Sequence, residues 1–155
     1  MATTPEWKTQ FTRVAQSNDF DDVFACIAMV ASKTIEEVRA LAIDRFGLPR
    51  HGPWWPTQDL IAGLCGHLGW IAGPYQEATG VSDLPDCGLI LLDYNPANEI
   101  GRHAVFEKIK PSAGAICIID PGYWVPPENQ IQMFVKRMKP PLWHIALKRS
   151  KPAGS

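Results

Sequence analysis

The first half of the chain carries apolar residues at helical spacing. They recur every three or four positions between Phe24 and Ala31, which predicts a helix over about Asp21–Ser32 with Asp21 or Asp22 as its N-cap. A capping box at residues 34–37, of sequence Thr-Ile-Glu-Glu, opens a second predicted helix that stops near Gly47. A third helix is predicted over residues 57–68, after the loop at residues 51–56.

The second half has the pattern of strands. Residues 88–93 form a continuous apolar run between two proline-containing turn signals, and residues 103–109, 115–120 and 142–147 are rich in β-branched and apolar residues. Helices followed by antiparallel strands indicate an α+β domain and not a βαβ fold. The 155 residues suffice for one domain, which we expect to span residues 1–150, with a flexible tail at 151–155.

Charge and apolar patterning exclude two classes of protein. The formal net charge is −1 and the basic residues form no long block, which excludes an electrostatic nucleic-acid binder. The apolar runs Leu89–Leu92 and Ile116–Ile119 are far shorter than the roughly 20 residues that span a bilayer, so no membrane insertion is expected. Residues 1–10 lack an apolar signal core, which predicts a cytoplasmic protein or one exported without a cleavable signal peptide.

The four cysteines, Cys26, Cys65, Cys87 and Cys117, lie in apolar or helical contexts and form no CxxC pair. This spacing does not provide a zinc site, and we expect neither a metal nor a cofactor. The cysteines are interpreted as reduced, mostly buried thiols.

Four positions occur in the order that a cysteine peptidase requires. Such an enzyme needs a nucleophile at a helix N-terminus, a histidine from another element, a group that orients the histidine, and an oxyanion donor. Gln16 precedes the first helix, His103 opens a predicted strand, and Asp120 ends the next strand. A hairpin would place Asp120 near His103. The start of the first helix, where a cysteine is needed, has Asp22 instead.

The sequence around this helix resembles the opening of the bacteriocin-processing (C39) peptidases, a papain-like cysteine-peptidase family. In that family a glutamine and four residues precede Asp-Cys-Gly-x-Ala-Cys-x-Ala-Met. Here Gln16 is followed by residues 21–29, Asp-Asp-Val-Phe-Ala-Cys-Ile-Ala-Met. Aligned without a gap, the nucleophile falls on Asp22, the catalytic histidine on His103 and the aspartate of Asp-Pro on Asp120. The resemblance covers about residues 10–125 and implies a papain-like fold, with helices packed on an antiparallel sheet.

The chain departs from this family at the nucleophile. Asp22 cannot form a thiolate, and Val23 replaces the adjacent glycine. Asp22 is a natural replacement in a domain without proteolytic activity, or a substitution that silences an active enzyme, or Cys26 one turn later is the reactive residue. A carboxylate at a helix N-terminus is also stabilised by the helix dipole. Asp22 is therefore either a simple N-cap or the partner of a protonated His103.

Two aromatic loops are candidate binding elements. Trp54 and Trp55 lie between prolines, and Tyr123 and Trp124 lie between Pro121 and Pro126. Aromatic residues held in proline-rich loops form rigid recognition surfaces, although they also cap the core of small domains.

Three functions are compatible with the sequence. The first is an inactive peptidase-like domain that binds a peptide or protein segment in the former substrate groove. The second is a cysteine protease, or a glutamine deamidase or effector, whose nucleophile at position 22 has been replaced; the family cleaves leader peptides after a double glycine. The third is an interaction module that keeps only the fold. The oligomeric state does not follow from the sequence.

Overall fold

A computed structural model describes residues 8–52, 56–95, 97, 100–109, 115–134 and 142–150. The elements in chain order are α1 (Asp22–Ala31), α2 (Ile35–Phe46), α3 (Gln58–His67), β1 (Trp70–Ala78), a 3₁₀ turn (Val81–Asp83), β2 (Cys87–Asn95), β3 (Ile100–Lys108), β4 (Ile116–Ile119), α4 (Pro127–Gln130), β5 (Ile131–Phe134) and β6 (Leu142–Arg149). The α+β class and the order of helices before strands are therefore confirmed. The tail at 151–155 lies outside the described residues.

Local signals fix the ends of the three long helices. The Thr34 side chain accepts a hydrogen bond from the Glu37 N–H, which completes the capping box of α2, and Gly47 ends that helix in the left-handed conformation. Thr57 caps α3 in the same way through the Leu60 N–H. At α1 the N-cap residue is Asp21, but its side chain makes no cap hydrogen bond. The prediction that Asp21 or Asp22 is the N-cap of α1 is therefore confirmed, and the cap is formed without a side-chain hydrogen bond.

The strands form one six-stranded antiparallel sheet in the order β1-β6-β2-β3-β4-β5. Gly88 in β2 pairs with Ala146 in β6, and a Cβ atom there would lie 2.1 Å from the carbonyl oxygen of Ile145. Because that neighbour is backbone, only glycine permits this approach of the two central strands. Neither β1 nor β5 is among the strands predicted from sequence.

The sheet is apolar on both faces. One face packs on the three long helices, through residues that include Leu89, Val105 and Ile119. The other face carries a smaller cluster with Ile90 and Phe106. Alternating residues of a strand point to opposite faces, so His103 shares the helix-packed face with Val105. All four cysteines are free and buried. Within the described residues, none of the helices is long and apolar enough to cross a membrane.

Candidate functional site

The site lies where the N-terminus of α1 meets β3. Asp22 is the first residue of α1, and its Oδ2 accepts hydrogen bonds from the backbone N–H of His103 (2.7 Å) and from Nδ1 of the same residue (2.9 Å). Both side chains are mostly buried, with 16% of Asp22 and 13% of His103 exposed. Two residues distant in sequence are thus joined by two hydrogen bonds to one carboxylate oxygen.

Asp22 carries its charge despite this burial. Desolvation raises the pKa of the Asp22 carboxyl, but its hydrogen bonds and charge interaction with His103 outweigh that effect, and the pKa lies below its ordinary value. The positive end of the α1 dipole favours the same ionised form. An ionised carboxylate can only accept hydrogen bonds, so Nδ1 of His103 is the donor.

The other ring nitrogen of His103 is also occupied. Its Nε2 lies 2.7 Å from the hydroxyl oxygen of Tyr75, in β1. Burial raises the pKa of Tyr75 to about 12, with a further contribution from the charge of Asp22. The phenol therefore stays protonated and donates to Nε2 when the imidazole is neutral. Tyr75 is not among the predicted site residues, because it lies in a strand that the sequence pattern does not predict.

Asp120 does not bind His103 but a neighbouring arginine. Its Oδ1 accepts hydrogen bonds from Nη1 of Arg102 and from the Gly122 N–H (3.0 Å). Val105 pairs with Ile119, so one position further Ala104 faces Asp120, which places Arg102 and not His103 on the same face as this carboxylate. The expected Asp120–His103 contact is replaced for this reason.

Arg102 connects Asp120 to the second aromatic loop. Its Nε donates to Asp93 (2.8 Å), and its guanidinium lies 5.6 Å from the ring centroid of Trp124. Tyr123 and Trp124 pack edge to face, and each is about half exposed. These two candidate binding residues are therefore exposed, and Trp124 contacts Arg102, which precedes His103 in β3. Trp54 and Trp55 lie outside the described residues.

Gln16 is buried next to the same loop. Its backbone N–H donates to the Pro121 carbonyl (2.7 Å) and its Nε2 donates to the Asn18 carbonyl (3.0 Å), whereas its Oε1 is buried without a partner. Arg13 donates to the carbonyls of Asp120 and Gly122, both at 2.7 Å. The Asp-Pro-Gly turn is thus held by the segment that precedes α1. One of the two amide N–H groups of Gln16 is engaged by Asn18.

Asp21, next to Asp22, has a different environment. Its side chain is fully buried and accepts from the Ser17 N–H and hydroxyl and from the Asn18 N–H. Arg39 of α2 lies 3.3 Å away and completes its set of partners. This network closes the turn that leads into α1 and so fixes the point at which the helix begins, with Asp22 as its first residue.

Cys26 is packed beneath the site. It is fully buried, and desolvation followed by the charges of Asp22 and Asp120 raises the pKa of its thiol well above the ordinary value. A thiolate is strongly disfavoured there, which argues against Cys26 as a nucleophile. Among the described residues, no group of three or more His, Cys, Asp or Glu side chains is arranged to hold a metal ion.

Comparisons with known proteins yield a structural likeness. No protein-family model and no curated protein matches the sequence. Among solved structures, the chain is similar to a double-glycine motif protease from an AMS/PCAT transporter, in complex with the leader peptide. The TM-score is 0.56 at 14% sequence identity, over 91% of this chain and 93% of the other. The chain therefore has the fold of this peptidase type, as its sequence predicted.

Proposed function

We propose that the protein is a peptidase-fold domain that binds an extended peptide or protein segment and leaves it uncleaved. The observation that carries this proposal is the carboxylate of Asp22, which occupies the expected nucleophile position and accepts two hydrogen bonds from His103. A site of this form keeps a negative charge facing His103, as a thiolate would, without a sulfur atom.

The hydrogen bonding of His103 supports the loss of covalent chemistry. A general base needs a nitrogen that can take a proton from the reacting group. Here Nδ1, the nitrogen that faces residue 22, donates to the ionised Asp22 carboxylate, which has no proton to give. Cys26, the nearest thiol in the helix, is buried and has a raised pKa. Neither residue is in a state to begin acyl transfer.

The surface beside the site supports peptide binding. Trp124 and Tyr123 are exposed and packed edge to face against each other, and Arg102 makes a cation–π contact with Trp124. Large aromatic side chains that lose little entropy on binding are typical anchors for peptide ligands. One solved structure similar to this chain is a complex with a leader peptide.

The test is a binding assay with the products analysed in parallel. Fluorescently labelled extended peptides, with and without a double glycine, are titrated with the protein, and each mixture is examined by mass spectrometry. We expect saturable binding of an intact peptide, weakened about tenfold or more by Trp124→Ala, as for an interface anchor. Lys33→Ala, an exposed change in the turn after α1, is the matched control. Cleavage by the unaltered chain, or the absence of binding across the panel, would overturn the proposal.

A second candidate is a cysteine hydrolase whose nucleophile has been replaced by Asp22. The position of His103 Nδ1, 2.9 Å from the Asp22 side chain, favours it, because a thiol at residue 22 would face the same nitrogen. In that case Asp22→Cys alone should restore turnover. Products with a broken chain would indicate a protease, and conversion of a glutamine side chain to glutamate would indicate a deamidase. The absence of both products, in a folded variant that binds peptide, would reject this candidate.

A further inference from the structure

Tyr75 takes the place at His103 that the sequence predicts for Asp120. Its hydroxyl oxygen lies 2.7 Å from Nε2, and the two rings are tilted with centroids 6.0 Å apart. We propose that Tyr75 is the positioning residue of this site and fixes the His103 ring in the orientation that faces residue 22. The inference rests on the proposed function, because it concerns the same site.

The Tyr75 backbone is held at a defined position. The strand pairing of β1 with β6 shifts between Ala72 and Tyr75, and pairing resumes at Tyr75 opposite Ile145. The Tyr75 N–H donates to Oε1 of Gln58 (2.9 Å), the first residue of α3. The irregular segment is thus hydrogen-bonded to the N-terminus of α3. The Tyr75 phenol lies on the helix-packed face of the sheet.

A phenol suits both protonation states of the ring. When the imidazole is neutral, Asp22 fixes the proton on Nδ1 and the phenol donates to Nε2. When the imidazole is charged, Nε2 donates and the phenolic oxygen accepts. A carboxylate in the same place would strongly favour the charged ring. Tyr75 therefore orients His103 without adding a second negative charge to the Asp22 site.

Asp120 is unavailable for this role because of its own partners. Arg102 and the Gly122 N–H both bind its Oδ1, and the sheet register places Arg102 on the face of this carboxylate. Orientation of the histidine and attachment of the aromatic loop are therefore assigned to different residues here. Tyr75 orients the histidine, and Asp120 secures the aromatic loop.

The direct test measures the protonation and hydrogen bonding of the two His103 ring nitrogens by NMR in the unaltered protein. Long-range ¹H–¹⁵N correlations should show Nδ1 protonated and Nε2 engaged in a hydrogen bond. Tyr75→Phe should move the Nε2 resonance and leave Nδ1 protonated, because Asp22 is retained. Tyr123→Phe removes a hydroxyl that donates to Asp19 (2.6 Å) and should change neither nitrogen. An Nε2 resonance unaltered by Tyr75→Phe would overturn the inference.

A second arm tests the positioning role through reactivity. In an Asp22→Cys background, the rate of alkylation at position 22 is followed against pH with iodoacetamide. Adding Tyr75→Phe should slow the reaction near pH 7 by about fivefold to tenfold, the effect of one hydrogen bond. Adding Asp120→Asn should change it less. A larger effect of Asp120→Asn than of Tyr75→Phe would also overturn the inference. Peptide binding by the unaltered protein is scored separately, so loss of the proposed function is distinguishable from loss of this positioning role.

Discussion

Asp22 and Asp120 each accept hydrogen bonds from a side chain of β3 and from a backbone N–H, but they secure different parts of the molecule. Asp22 binds His103 and joins α1 to the helix-packed face of the sheet. Asp120 binds Arg102 and Gly122 and holds the loop that carries Trp124. Because Arg102 and His103 are consecutive in a strand, their side chains point to opposite faces and each aspartate has a separate basic partner.

The two networks differ in how they respond to their surroundings. The guanidinium of Arg102 is permanently charged and can only donate hydrogen bonds to Asp120. The imidazole of His103 has two ring nitrogens, each of which can donate or accept a hydrogen bond. The hydrogen bonds of the Asp22 network can therefore be rearranged, whereas those of the Asp120 network have a fixed direction.

The largest effect is expected when Asp22 is converted to the residue that the fold would use for catalysis. In Asp22→Cys, alkylation at position 22 should exceed that of the same variant carrying His103→Ala by about 10²-fold, as for removal of a general base. Mass spectrometry locates the label, and the buried cysteines Cys26 and Cys65 serve as internal references. Equal labelling with and without His103 would mean that the ring does not activate residue 22.

The next largest effect is expected in the Asp120 network, when its charged partner Arg102 is removed. Arg102→Met leaves the Asp120 carboxylate, with 9% of its side chain exposed, without its charged partner. We expect the free energy of unfolding to fall by about 2 kcal/mol, from the unpaired, partly buried charge. Urea denaturation measures it, and Arg45→Met on the exposed surface of α2 is the matched control, with a change within about 0.5 kcal/mol. A loss no greater than that of the control would show that this ion pair is dispensable.

A smaller effect should appear as a pH dependence that separates the networks. The pKa of Asp22 is lowered in the folded state, so its contribution to stability is present above the unfolded pKa of about 4. It is lost as the pH falls through the lower, folded pKa. In a plot of unfolding free energy against pH, the free energy falls at acid pH, and we call this part of the plot the acid limb. Asp22→Asn should make the acid limb less steep.

The comparison for that measurement is Asp19→Asn, which alters an exposed carboxylate bound to Tyr123. It should leave most of the acid limb in place. An acid limb of unchanged slope in Asp22→Asn would contradict the assignment of this effect to the Asp22–His103 pair.

The smallest effect concerns the aromatic contact of Arg102. Trp124→Leu removes the cation–π interaction at 5.6 Å but keeps an apolar side chain on an exposed loop. We expect a loss of about 0.5–1 kcal/mol in unfolding free energy, the usual value for an exposed pair. Thermal or urea unfolding resolves this loss against Tyr123→Phe. A loss of 2 kcal/mol or more would show that Trp124 also supports the core.

The parts of the fold that depend on residues close in sequence could be predicted, and those that depend on strand pairing could not. The capping box at Thr34 and the left-handed Gly47 bounded α2 correctly, because each acts within one turn. The strand β1 was missed because Gly73 and Pro74 interrupt its pattern where its pairing with β6 shifts. Such an irregularity is set by the neighbouring strand, which a local pattern does not reveal.

The candidate site was predictable to a similar degree. The hypothesis that Asp22 faces His103 agrees with their hydrogen bonds, whereas the catalytic roles of these residues stay predictions. Partner choice at Asp120 depends on a sheet register that differs by one residue from the expected hairpin. Tyr75 had no signal of its own in the sequence, because its role depends on where β1 lies in the sheet.

The strand order β1-β6-β2 has a consequence for the synthesis of the protein. Within the described strands, β1 pairs only with β6, which is made more than 60 residues later (Ala78 to Leu142). On the ribosome, α1, α2 and α3 can form as they emerge, whereas β1 must wait for residues 142–149 before it gains its partner. Tyr75 is carried by β1, so its hydrogen bond to the histidine of the site depends on a strand whose pairing partner is made more than 60 residues later.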